Sequence, residues 1–109
     1  ADKIVLVMGS DFGRTPYYNS NNGKDHWSVT SMMLLGPGIK GNRVIGASTD
    51  RYSLKTIDPD SLASLDDDSQ GIRITPAHIH MQLRKLAGVE ANEASQRFPL
   101  RCEDLGLFG

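Results

Sequence analysis

A chain of 109 residues with a formal net charge of −1 is long enough for one domain with a modest core. Its 12 basic and 13 acidic residues are nearly balanced, which gives no electrostatic basis for binding nucleic acid. The single cysteine excludes an internal disulfide, and no apolar run approaches the roughly 20 residues that a membrane-spanning helix needs. We therefore expect a single domain over 1–109, without a nucleic-acid partner and without a membrane span.

Two apolar runs predict the core strands. Residues 3–8 are apolar and partly β-branched and are followed by Gly9 and Ser10, and residues 29–35 form a similar run. Continuous apolar runs of this length are typical of strands buried on both faces of a mostly parallel sheet. The sequence thus predicts an α/β fold with these two strands as neighbours. Because the chain opens directly on a core strand, we also expect it to be a fragment of a larger domain.

The candidate site follows the first predicted strand. Asp11 and Arg14 come directly after it, and Asp25, His26 and Trp27 precede the second strand across a polar loop rich in Asn, Ser and Gly. In open α/β sheets, ligands bind beyond the carboxyl ends of the strands. This segment is therefore predicted to hold half of an active site.

Helical signals occur in the second half of the chain. Asp58 followed by a proline predicts a short helix, and Thr75 followed by Pro76 predicts a longer helix over 76–87 that Gly88 ends. One apolar face of the longer helix should pack on the sheet.

The rest of that half offers weaker signals. His78 and His80 are two residues apart on the predicted helix, so they cannot chelate one metal ion and are expected to face solvent. Residues 89–109 are predicted to form an extended tail. Five apolar side chains can attach it to the body: Phe98, Leu100, Leu105, Leu107 and Phe108.

Several motifs in fixed order resemble those of a known group. A strand leads into residues 11–16, a glycine begins residues 23–27, a second strand ends in the Gly-Pro-Gly turn of residues 36–38, and a Thr-Pro helix follows. This order resembles the C-terminal part of a bacterial sulfatase-like family of uncharacterised function, which is similar to the alkaline phosphatase superfamily. The resemblance implies part of an alkaline phosphatase-like sheet with packed helices, in a protein that is exported or periplasmic.

The same resemblance assigns site residues. It matches Asp11 to a metal-binding aspartate and His26 to a metal-binding histidine, whereas Phe12 stands where phosphatases have a second histidine. A phenyl ring has no lone pair to give a metal ion, so the substitution argues against a two-zinc site and for one metal or an altered second site. The nucleophile and remaining ligands would lie upstream of Ala1.

The residue chemistry leaves alternatives open. Carboxylate and imidazole groups suit a divalent ion such as Zn²⁺, with Ca²⁺ or Mn²⁺ as alternatives. Asp25 could be a third ligand or could orient His26. Arg14 suits an oxyanion such as phosphate or sulfate, or it could form a salt bridge to Asp11 or Asp25. Asp11 could instead cap the turn by accepting hydrogen bonds from backbone amides.

Two functions follow from these expectations. The first is a metal-dependent phosphatase- or sulfatase-like hydrolase that acts on a small anionic ester and is inactive as this isolated portion. The second is a non-catalytic binding or structural protein, which Phe12 favours. In either case, the loss of neighbouring strands would leave an exposed sheet edge that favours self-association.

Overall fold

The computed structural model describes residues 4–109, so the predicted start of the first strand at residue 3 lies outside the described residues. It contains two small antiparallel sheets and two helices. The first sheet pairs β1 with β4, and the second pairs β2 with β3. The strands are β1 (Leu6–Gly9), β2 (Gly13–Arg14), β3 (His26–Trp27) and β4 (Met32–Leu35).

The two apolar runs do become neighbouring strands, but the prediction of a buried parallel pair is wrong. Leu6 lies opposite Leu35 and Gly9 lies opposite Met32, in antiparallel register. The β2–β3 hairpin reverses the chain between them, whereas parallel neighbours need a crossover connection. Every residue of β1 is exposed. The apolar run of residues 3–8 thus forms a strand, but this strand is not buried on both faces.

The core lies in the C-terminal half and is small. Ile57 is fully buried and packs with Leu105, Leu107 and Phe108. The prediction that apolar residues attach the tail to the body is confirmed for these three tail residues, while Phe98 is mostly exposed. Partly buried residues surround this cluster: Leu34, Ile39, Ile45, Leu62, Ile72, Ile74, Ile79 and Leu83.

The longer predicted helix is confirmed. Helix α1 (Pro76–Ala87) follows Thr75 and ends at Gly88, whose φ of 72° is left-handed. The backbone N–H of Gly88 donates to the carbonyl oxygens of Arg84 and Lys85, which satisfies acceptors at the helix end. Ile79 and Leu83, four residues apart on one face, pack against the core cluster.

The other helical predictions differ from the structure. At Asp58, the carboxylate accepts hydrogen bonds from the amides of Asp60 and Ser61, but the chain forms a turn because Leu62 adopts a left-handed φ of 64°. The tail, predicted as extended, instead contains helix α2 (Glu93–Arg97). Asn92 caps this helix by accepting a hydrogen bond from the amide of Ser95 at 2.9 Å.

The molecule exposes an unusually large surface for its mass. Its accessible area is 8083 Å², whereas a folded monomer of 11.9 kDa is expected to expose about 5,900 Å². Its radius of gyration is 15.8 Å, against about 13 Å for a compact domain of this length. Apolar residues of β1 contribute to this area, since Leu6, Val7 and Met8 are all exposed. None of the helices in the described part has the length and apolar character that crossing a bilayer demands.

Candidate functional site

The predicted site forms the β2–β3 hairpin. Gly13 lies opposite Trp27 and Arg14 lies opposite His26. Position 13 requires a glycine because the backbone near Val29 passes very close to it. A Cβ atom at this position would lie 2.1 Å from the carbonyl oxygen of Val29. This contact brings the first residues after β1 against the chain that leads into β4.

The loop of the hairpin is held by Asn19. Its Oδ1 accepts hydrogen bonds from the amides of Asn21 and Gly23 at 2.9 and 3.0 Å, an arrangement that folds the Asn- and Gly-rich segment into a turn. Its Nδ2 donates to Asp25 Oδ1 at 2.9 Å. The carboxylate of Asp25, a predicted metal ligand, therefore takes part in the hydrogen bonding of the loop itself.

Thr15 secures the base of the same loop. It is buried, its amide donates to the carbonyl oxygen of Asp25 at 3.0 Å, and its hydroxyl accepts a hydrogen bond from the amide of Asp25 at 3.2 Å. The hydroxyl also donates to the carbonyl oxygen of Tyr17 at 2.9 Å. Thr15 and Asp25 pair across the hairpin, so strand alternation places them on the face opposite Arg14 and His26.

Arg14 and His26 share the exposed face with Phe12. The Arg14 guanidinium carbon lies 4.8 Å from the centre of the Phe12 ring, and the Phe12 and His26 ring centres are 4.2 Å apart. We call these three residues the hairpin platform. Arg14 Nη1 donates to the carbonyl oxygen of Lys24 at 2.9 Å, while the residue as a whole is exposed.

The alternatives for Asp11 and Arg14 can now be compared with the structure. Asp11 lies in the bend between β1 and β2 and is exposed. Among the hydrogen bonds and ion pairs of residues 4–109, none involves the Asp11 carboxylate, and none joins Arg14 to Asp11 or Asp25. Within the described chain, Asp11 therefore does not cap the turn, and Arg14 carries no carboxylate partner.

The opposite face of the hairpin attaches it to the rest of the molecule. Trp27 Nε1 donates to the carbonyl oxygen of Tyr52 at 2.7 Å, and the Tyr17 and Tyr52 rings lie 6.1 Å apart. Tyr52 has a left-handed φ of 62°, which is unusual for a bulky residue. The half-buried Trp27 thus serves as an anchor, consistent with a structural role for the only tryptophan.

The described residues do not supply a complete metal centre. Across residues 4–109, no group of three or more His, Cys, Asp and Glu side chains is arranged to hold a metal ion. Of the predicted ligands, Asp25 is bonded to Asn19 and the His26 ring stacks on Phe12. Asp11 and His26 would leave a protein zinc site one or two ligands short. The donor set therefore does not fit a metal ion by itself.

A second polar cluster was missed by sequence reasoning. The prediction that His78 faces solvent is wrong, since it is 4% exposed. Its Nδ1 accepts a hydrogen bond from the amide of Thr75 at 2.9 Å, and its Nε2 lies 2.8 Å from Glu103 Oε1. Because a backbone amide can only donate, Nδ1 carries the lone pair and Nε2 carries the proton given to Glu103. One sequence feature pointed to this contact: Thr75 and His78 are three residues apart, which is the spacing of a capping box at a helix N-terminus.

This cluster changes the electrostatics of the tail. The hydrogen bond from His78 lowers the pKa of Glu103 below its ordinary value of 4.5, and a backbone hydrogen bond acts in the same direction. Nearby, Gln82 Nε2 donates to Asp104 Oδ1 at 2.7 Å, and Lys85 pairs with the same carboxylate group. Both carboxylates hold the tail on α1, so this cluster is explained by structure alone.

Comparison with known proteins identifies a family. Residues 1–67 match the family model described as Protein of unknown function (DUF1501). The chain belongs to this family. Neither the curated proteins nor the solved structures include a significant match to it. In this DUF1501 chain, the hairpin platform lies within the matched part, whereas α1 and the His78–Glu103 pair lie outside it.

The family match corrects the resemblance drawn from the sequence. The matching family is DUF1501, and nothing in the comparisons points to a sulfatase-like or alkaline phosphatase-like family. The motifs that suggested it are short, and several of their residues have local roles: Gly13 permits close backbone approach, Asp25 bonds within the loop and Trp27 anchors the hairpin. The expectation of an exported or periplasmic protein rested only on that resemblance, so the comparisons no longer support it.

Proposed function

We propose that the hairpin platform of this DUF1501 chain binds a small anionic ester, a phosphate or sulfate monoester, and that the chain binds it without hydrolysing it. The observation that carries the proposal is the register pairing of Arg14 with His26 on an exposed face. The pairing places a permanent planar cation beside an imidazole. Both are suited to donate hydrogen bonds to the oxygens of one anion.

The surroundings of Arg14 support this assignment. Its Nη1 donates to the carbonyl oxygen of Lys24 and its guanidinium carbon lies 4.8 Å from the Phe12 ring centre, so the guanidinium is oriented before a ligand arrives. Such orientation reduces the entropy lost on binding. Since no ion pair in residues 4–109 neutralises Arg14, an incoming anion does not have to displace a carboxylate. The organic part of an ester could then contact the Phe12 ring.

A second candidate is a metal-dependent phosphoric- or sulfuric-ester hydrolase. Asp11 favours it, because its exposed carboxylate lies next to the platform and makes no hydrogen bond within residues 4–109. In that case Asp11 and His26 would contribute two ligands to a divalent ion. The further ligands and the nucleophile would have to come from another polypeptide segment or subunit, so the chain studied alone would still be inactive.

An NMR titration tests the binding proposal. Inorganic phosphate, sulfate and phenyl phosphate are added at constant ionic strength, and saturable shifts are expected for the amides of Arg14 and His26. Arg14→Gln should weaken binding by about tenfold or more, because a charge-assisted hydrogen bond contributes roughly 1.5–3 kcal/mol. Arg101→Gln, which removes a similarly exposed arginine outside the hairpin, is the matched control.

The outcomes separate the two candidates. Shifts that do not saturate, or an equal loss of binding in both arginine variants, would refute the binding proposal. Binding of Zn²⁺ to the chain that is lost in both Asp11→Asn and His26→Gln would favour the hydrolase instead, since both residues would then act as metal ligands.

A further inference from the structure

The loop of the β2–β3 hairpin contains a reactive pair of residues, Asn22 followed by Gly23. The side-chain amide of an asparagine can be attacked by the backbone nitrogen of the next residue, and glycine hinders this attack least because it has no Cβ atom. No other asparagine of the chain precedes a glycine. Asn22 is also exposed, so water reaches its side chain.

The reaction open to this pair is deamidation, with water as the only co-reactant. The Gly23 nitrogen gives up its proton and attacks Cγ of Asn22, so that a N–Cγ bond forms and the Cγ–Nδ2 bond breaks. The departing nitrogen takes up a proton and leaves as ammonia, and a succinimide ring remains. Water then opens the ring. Attack at Cγ gives aspartate, and attack at the backbone carbonyl carbon gives isoaspartate, so either product carries a new negative charge.

The folded turn restrains both reacting residues. The N–H of Gly23 donates to Asn19 Oδ1 at 3.0 Å, so the nitrogen that must attack is held in a hydrogen bond. The N–H of Asn22 donates to the carbonyl oxygen of Asn19 at 3.1 Å, and the Asn22 backbone is left-handed with a φ of 60°. The N–H of Asn19 donates in turn to the carbonyl oxygen of Gly23 at 2.8 Å. One residue, Asn19, therefore contacts both partners of the reaction.

We propose that Asn22 is a deamidation site and that Asn19 sets the rate of this reaction by holding the amide of Gly23. Attack requires that the hydrogen bond from Gly23 to Asn19 break, because the same nitrogen must bond to the Asn22 side chain. The reactive conformation is thus reached only when the turn opens. Asn19 is a positioning residue in this scheme: it forms no bond to the reacting atoms and acts through the conformation of the loop.

The modification would alter the hairpin that carries the platform. Isoaspartate adds a carbon atom to the main chain between positions 22 and 23, which shifts Gly23 relative to Asn19 and disrupts the hydrogen bonds that close the turn. The next residue, Lys24, supplies the carbonyl oxygen that accepts the hydrogen bond from Arg14 Nη1. Deamidation therefore acts on a contact that orients Arg14.

Peptide mapping by mass spectrometry, on samples incubated at mildly alkaline pH, tests the proposal. Folded wild type should deamidate at Asn22 about tenfold or more slowly than the same chain unfolded in urea, because the hydrogen bonds of the turn must open first. Asn19→Ala removes the Oδ1 acceptor and should raise the rate in the folded chain by about threefold or more. Circular dichroism of α1 shows whether Asn19→Ala remains folded, and the comparison of folded with unfolded wild type needs no variant.

Two controls come from the chain itself. Asn21→Ala makes the same substitution in the same loop but leaves the Asn19 side chain in place, with its acceptor for the amide of Gly23, and it should react at the wild-type rate. Asn42 shares the left-handed backbone, with a φ of 58°, but precedes Arg43. In urea, Asn42 should therefore react much more slowly than Asn22.

Four results would overturn the proposal. The first is no deamidation at Asn22 even in urea, and the second is an equal rate in folded and unfolded wild type. The third is a folded Asn19→Ala variant that reacts no faster than the wild type. The fourth is an equal acceleration by Asn21→Ala, which would mean that any change in the loop exposes the site.

Discussion

His26 and His78 show how differently two regions of this molecule use the same side chain. His78 is buried beneath the tail, and both of its ring nitrogens have partners, in Thr75 and Glu103. His26 is exposed on the hairpin and contacts the Phe12 ring, and no hydrogen bond to its ring occurs within residues 4–109. Buried polar groups must be satisfied for the fold to be stable, whereas an exposed one remains available for a ligand.

The carboxylates follow the same division. Glu103 and Asp104 hold the tail on α1 through His78, Gln82 and Lys85. Asp11, in the hairpin region, makes no such bond among the described residues. The C-terminal region thus uses these polar groups for stability, whereas the Asp11 carboxylate and the His26 ring of the hairpin region are exposed and make no hydrogen bond among the described residues. This contrast, rather than the motif content of either region, is what favours the hairpin as the functional site.

The largest expected difference concerns stability. Ile57→Ala removes a fully buried side chain from the core and should lower the free energy of unfolding by about 2–5 kcal/mol. Phe12→Ala, in the exposed hairpin platform, should change it by less than about 0.5 kcal/mol. Urea denaturation at one fixed protein concentration measures both, since self-association would otherwise alter the result. Comparable losses in the two variants would mean that the hairpin is part of the stabilising core.

What the sequence predicts correctly in this chain is local. Helix α1 was predicted because Thr75, Pro76 and Gly88 act within a few residues of the helix they delimit. The tail contacts of Leu107 and Phe108 followed from apolar character alone. The helix predicted at Asp58 does not form, although the Asp58 carboxylate accepts the expected capping hydrogen bond. The reason is that Leu62 adopts a left-handed conformation, which no sequence pattern indicates.

What the sequence could not predict depends on distant partners. An apolar run does not reveal whether its strand pairs in parallel or antiparallel register, so the expectation of a parallel neighbour for β1 is wrong. The burial of His78 depends on Glu103, 25 positions away. In the candidate site, the sequence places Arg14 and His26 in one predicted active-site segment, on either side of a polar loop, but their direct pairing depends on the register that Gly13 permits.

A matched pair of histidine variants sharpens the comparison. His78→Gln should lower the free energy of unfolding by about 1–3 kcal/mol, because it disrupts the hydrogen bonds of a buried group. His26→Gln should leave stability unchanged within about 0.5 kcal/mol and should weaken binding of phenyl phosphate. Thermal denaturation and the NMR titration, applied to both variants, measure the two effects. If His78→Gln weakens ligand binding while His26→Gln does not, the roles assigned to the two regions are reversed.

The smallest expected effect is the pH dependence that Glu103 contributes. Its pKa is lowered in the folded state by the hydrogen bond from His78, so the folded protein binds the proton less readily than the unfolded chain. The stabilisation is therefore present above the unfolded value and is lost as the pH falls through the lower, folded value. Glu103→Gln should thus be less stable than the wild type near pH 6, with the difference shrinking below about pH 4.

Comparing variants at each pH isolates this group from the other carboxylates. Hydrogen bonds also lower the pKa of Asp58 and of Asp67, so acid destabilises every variant through them, and only the difference between Glu103→Gln and the wild type reports on Glu103. Once protonated, Glu103 is neutral like glutamine, which is why the two curves should meet in acid. Glu90→Gln, an exposed site outside the pair, should run parallel to the wild type throughout. A gap between Glu103→Gln and the wild type that stays constant down to about pH 3 would show that the carboxylate stabilises the tail through packing and not through its charge.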